Sequence, residues 1–270
     1  MAEHMAEYYS GLSVDNILTF EVALVIGFLA VIACAAGILF QMSKWGYGSA
    51  GYGKAGQGGN IIAFLKLFLS QTFDKKHEQS VLTTIVMDIL IQRRILKRSV
   101  LRWVMHITIF WGWMMLFFFS MGIFVVELLS KAGIYHAEVH PLVENFPLIV
   151  TLNSVFGYVL FVGVLIAIAR RLFIKEVREG TTFYDLFLIW GLFVIVITGF
   201  ISEGIRYNGT EYATTITDLW SLGISNAAAP PAALFHVVIS LLFCVAMIPF
   251  TKYIHIIATP LSILAHGGGE

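Results

Sequence analysis

The run FHVVISLLFCVAMIPFTKYIHIIATP, residues 235–260, carries two histidines 19 positions apart, His236 and His255. Read as one helix, this segment would separate the two imidazoles by about 28 Å along the axis. A bilayer's hydrocarbon core is about 30 Å thick. Such a helix would set one imidazole near each membrane face. Ionisable side chains inside a membrane are costly and mark function. Imidazole is also a common axial ligand of haem iron. Two redox centres stacked across a bilayer are therefore the expected chemistry.

A third histidine, His106, stands near the start of the apolar run RWVMHITIFWGW. By topology it shares the depth of His255, so the pair is expected to hold one low-spin iron from two helices. At the depth of His236 the partner is open. Position 116, about one crossing-half beyond His106, is Leu116. The same stretch offers Met114, Met115 and Met121, and the following loop offers His136 and His140. The outer iron is thus expected to be five-coordinate or to take a methionine or a loop histidine such as His140. Two acids at the same face, Glu127 and Glu203, are candidates to accept protons released by a reduced carrier. Gly112, Gly122, Gly157, Gly163, Gly191 and Gly199 fall inside the apolar runs, where a missing side chain lets a helix or a flat cofactor come close.

The rest of the sequence must position these groups. Of 270 residues, 58% are hydrophobic and 13% charged, which implies a polytopic membrane protein. The fold class is all-α, a single membrane domain over residues 1–270. Five spans are expected at about Ile17–Met42, Val100–Leu129, Leu148–Leu172, Tyr184–Ser202 and Ala233–Ala258. Pro249 is expected to kink the last one. Fifteen of the 17 Lys and Arg residues fall on one side of this topology, and only Lys131 and Arg206 on the other. The positive-inside rule then puts the N-terminus outside and the C-terminus in the cytoplasm. Cys34 and Cys244 lie in apolar runs without metal-ligand spacing, so no iron–sulfur cluster is expected in this chain.

The cytoplasmic loop 43–99 is long. Its glycine-rich part, GYGSAGYGKAGQGG, matches a dinucleotide-binding fingerprint by spacing, but a membrane helix precedes it instead of a strand, so it reads as a loop. Two amphipathic stretches follow, Ile61–Phe73 and Val81–Ile95, suited to the membrane surface or to a docked cytoplasmic subunit.

The terminal motif PFTKYIHIIATP, Pro249–Pro260, preceded by Phe235–His236, resembles the last span of the nitrate reductase gamma-subunit family of dihaem cytochromes b. The resemblance covers the second to fifth spans and implies two b haems, with His236 as an outer ligand and His106 and His255 as inner ligands. Leu116 departs from the family's usual histidine, and the 19-residue spacing is longer than usual, so set against the family a π-bulge near Pro249 is expected to restore the helical phase. With the long first loop, these departures look more like the cytochrome b subunits of membrane-bound heterodisulfide reductases of methanogenic archaea. That likeness implies a reduced methanophenazine-like carrier as donor and a cytoplasmic iron–sulfur catalytic subunit as acceptor. A menaquinol-oxidising cytochrome b of a sulfite- or nitrate-reduction complex is the neighbouring alternative. A hydrogenase-type or formate-dehydrogenase-type anchor would need its docking surface outside. A haem-free transporter or anchor would use the histidines as proton relays. The lipid bilayer is an expected partner and nucleic acid is not.

Overall fold

Five helices are long and apolar enough to cross a membrane. In the computed structural model, residues 14–46, 60–73, 79–134, 147–210 and 213–266 are described, and among them there is no strand. The helices are α1 Val14–Trp45, α2 Ile61–Thr72, α3 Val81–Thr83, α4 Arg93–Arg98, α5 Val100–Lys131, α6 Pro147–Phe173, α7 Lys175–Glu179, α8 Phe183–Tyr207, α9 Thr215–Ser221, α10 Ala229–Leu241 and α11 His255–His266. The first four crossings are α1, α5, α6 and α8, as their hydropathy requires. Large apolar side chains such as Leu18, Val25, Phe118, Val162 and Val194 are exposed, as lipid-facing positions must be.

The chain divides into two units, Met1–Gly27 with Val104–Ser240, and Phe28–Trp103 with Leu241–Glu270. In the first unit, α5 and α6 meet backbone to backbone. A Cβ on Gly112 would fall 2.7 Å from the Leu160 backbone nitrogen, and one on Gly163 would fall 2.9 Å from that of Ile109. The two contacts are one helical turn apart on each helix of an antiparallel pair. Small residues are the usual means of such approach in lipid, where no hydrophobic force drives helices together. Leu160, Val164, Leu188, Leu192, Val196 and Phe200 fill the interior of α6 and α8. Thr182 opens α8 with a capping box, its hydroxyl accepting from Asp185 N and the Asp185 carboxylate accepting from Thr182 N. Lys131, at the end of α5, forms an ion pair with Glu21 of α1.

In the second unit, the amphipathic stretch that begins at Val81 carries a buried charge. Asp88, whose side chain is fully buried, sits in a π-helix, Thr84–Leu90, with Arg93 at 3.1 Å and Arg94 at 3.6 Å. The expected single stretch Val81–Ile95 is therefore corrected. It breaks at Gln92, which takes a left-handed conformation with φ 58°. The Ile91 carbonyl there accepts from the Trp103 indole at 2.7 Å. That reversal folds the two arginines back onto Asp88.

The fifth span also needs correction. The segment 233–258 is not one kinked rod. By length and composition the crossing is Asn226–Ala246. It includes the expected π-bulge, at Leu242–Ala246. Then the helix stops: Ile248–Phe250 form a 3-10 turn, Thr251 is extended with φ −123° and ψ 179°, Lys252–Ile254 form a second 3-10 turn, and α11 begins at His255. Pro249 explains part of this, since it lacks an N–H and its ring clashes with a preceding carbonyl. The Pro249 carbonyl is taken by the Gln41 side chain at 2.7 Å, and Gly37 leaves room on α1 for the proline ring. The 28 Å separation required an unbroken helix and no longer follows.

Candidate functional site

His236 lies on α10, whose first turn carries Pro230 and Pro231, residues well suited to a helix start. Its Nδ1 is 3.1 Å from the hydroxyl of Thr198 on α8. The Thr198 hydroxyl proton is already engaged, with the Val194 carbonyl at 2.9 Å and the Ile195 carbonyl at 3.0 Å. A hydroxyl has one proton and two lone pairs. The imidazole must therefore be the donor, Nδ1–H to Thr198 Oγ1. This leaves the lone pair on Nε2, the nitrogen an iron would bind. Gly199 lies directly under the ring, where a Cβ would fall 3.0 Å from Cε1 and 3.4 Å from Nε2. An imidazole with a fixed tautomer over a bare stretch of helix is a fitting axial ligand for haem.

An aromatic wall backs this seat. Phe200, next to Gly199, stacks on Tyr158 at 4.5 Å and meets Trp220 of α9 at 5.0 Å. The Trp220 indole donates to the Tyr158 hydroxyl at 3.1 Å. Gly157 faces the Phe200 ring. One turn beyond Gly199 on α8, Glu203 is half-buried and accepts from the Ser154 hydroxyl of α6 at 2.7 Å. A carboxylate held in this way can take a proton on its other oxygen.

His255 is the first residue of α11. Its approach is set locally: the Thr251 hydroxyl accepts from Tyr253 N at 3.2 Å, capping the short turn before the helix. The ring is exposed and its Nδ1–H donates to the Lys252 carbonyl. His106 is half-buried on α5, on the cytoplasmic side of Gly112 by the expected topology. His106 and His236 belong to the first unit and His255 to the second.

Glu127 lies on α5, but its side chain is outside the described residues, as are His136 and His140. Leu116, Met114, Met115 and Met121 are half-buried on α5. A Cβ on Gly122 would meet nothing within 4 Å. Among the described residues no cluster of three or more His, Cys, Asp or Glu side chains could hold a bare metal ion. Thr198 and Ser154 were not singled out from the sequence. A threonine in an apolar helix usually bonds its own backbone, and nothing local signals a partner 38 residues away.

Residues 82–263 match the HdrE family model, which describes a subunit of dihydromethanophenazine:CoB–CoM heterodisulfide reductase. The chain is 46% identical over 269 residues to the subunit of that name from Methanosarcina mazei, covering 97% of this chain and 99% of the relative. It is 46% identical over 276 residues to the one from Methanosarcina thermophila, covering all of both. A more distant likeness, 27% over 194 residues, joins 63% of the chain to 26% of an EtfAB:quinone oxidoreductase of Syntrophomonas wolfei. No solved structure matches. The five membrane-length helices and these similarities lead to one conclusion: the chain is a multi-pass membrane protein of the HdrE family of heterodisulfide reductase subunits.

Proposed function

We propose that this chain is the membrane dihaem cytochrome b component of a heterodisulfide reductase. It takes electrons from a reduced methanophenazine-like carrier near the outer face. It passes them to a cytoplasmic iron–sulfur subunit that reduces the CoB–CoM disulfide. The observation that carries this reading is the seat of His236, a tautomer-fixed imidazole over Gly199. When bound, two b-type haems would supply one-electron steps across the bilayer. His236 would hold the outer one through Nε2, and His106 and His255 are proposed as the axial imidazoles on the cytoplasmic side.

The chain's own groups would do the rest. Glu203, held by Ser154, would accept a proton from the carrier as it is oxidised, with Glu127 as a second acceptor at the same face. Tyr158, Phe200 and Trp220 would give a flat aromatic carrier an apolar wall. The distribution of Lys and Arg supports a cytoplasmic docking face. Arg93 and Arg94 are engaged with Asp88, so the exposed Lys97, Arg98 and Arg102 are the cations for an acidic partner. Electrons moving inward and protons released outward would charge the membrane.

The purified protein should show a sharp b-type α-band and two haems per chain, and a reduced phenazine should reduce both anaerobically. A protein free of haem iron would overturn the proposal. The partial likeness to a quinone oxidoreductase favours one second reading, in which the carrier is a menaquinol. Faster haem reduction by menaquinol than by the reduced phenazine would select it.

A further inference from the structure

Thr198 is one of two contacts that α8 makes to the ring of His236, the Ile195 backbone being the other. The Thr198 hydroxyl is oriented within its own helix, its oxygen lying 2.9 Å from the Val194 carbonyl and 3.0 Å from that of Ile195. The oxygen that remains faces Nδ1 of His236 at 3.1 Å, from a helix 38 residues away in sequence. Gly199 permits the approach, since a side chain there would meet Cε1 and Nε2 of the ring. An acceptor on Nδ1–H increases the electron donation of the opposite nitrogen to a bound metal. Stronger donation favours the ferric over the ferrous state and so lowers the reduction potential.

We propose that Thr198 is a positioning residue that holds His236 with Nε2 toward the outer haem and keeps that haem's potential low. This rests on the reading of His236 as a ligand. The role has a physical purpose: a haem poised too high would accept electrons from the carrier but not deliver them inward.

The test is a redox titration of the intact membrane protein, with wild type, Thr198→Val, Thr198→Ala, Thr198→Ser and His236→Ala measured in parallel. In Thr198→Val, one of the two haem midpoints should move to a more positive value while the other stays. Thr198→Ser, which keeps the acceptor, should restore the wild-type value. Thr198→Ala should behave like Thr198→Val, which guards against a packing effect of the valine methyl. Loss of one haem in Thr198→Val that Thr198→Ser regains would support the same role. Midpoints and low-temperature spin signals unchanged in both Thr198→Val and Thr198→Ala would overturn it. Retention of both haems in His236→Ala would instead remove the ligand reading on which it rests.

Discussion

The ring of His236 is gripped from another helix, by the Thr198 hydroxyl and the bare backbone of Gly199, whereas the ring of His255 is tied to a carbonyl three residues earlier in its own chain. One imidazole depends on how α8 packs against α10. The other depends on how residues 249–255 turn. Both arrangements engage Nδ1, by long-range packing in one unit and by local backbone geometry in the other. The two should therefore fail for different reasons.

The sharpest separation is Gly199→Val. Its side chain would occupy space now held by the His236 ring, so the outer haem should be lost while the inner one remains. Haem content per chain measures this, with a fall from two to one expected. Asp88→Asn acts in the second unit. It leaves Arg93 and Arg94 without their carboxylate, and because both are partly exposed the cost should be about 2 kcal/mol, below that of a pair buried at both ends. A lower thermal midpoint and faster cleavage within residues 81–98 would report it, with the spectrum of the His236 haem unchanged. Thr251→Ala should be the mildest. It removes the cap on Tyr253 N, worth about 1 kcal/mol, and should broaden the spectrum of the His255 haem without moving the other.

Hydropathy made the five crossings legible, because lipid demands long apolar helices that satisfy their own backbone. It did not make the break after Ala246 legible. Apolar composition continues through Ile256 and Ile257, and hydropathy reports burial, not backbone continuity. Pro249 signalled a disturbance. The Gln41 contact that captures the Pro249 carbonyl depends on α1, far away in sequence. The histidines stood out by residue type, and Gly199 as a point of close approach. Thr198 and Ser154 were not, since a hydroxyl's partner is chosen by helix packing. Asp88 was hidden for a similar reason: a charge within a polar loop ordinarily reads as solvated, and here two arginines fold back to bury it.

Haem content in His236→Ala and His255→Ala, measured side by side in stably inserted protein, tests the central claim most directly. Each variant should lose a different haem, distinguishable by midpoint potential, and the double variant should lose both. Two haems per chain retained in both single variants would contradict the account.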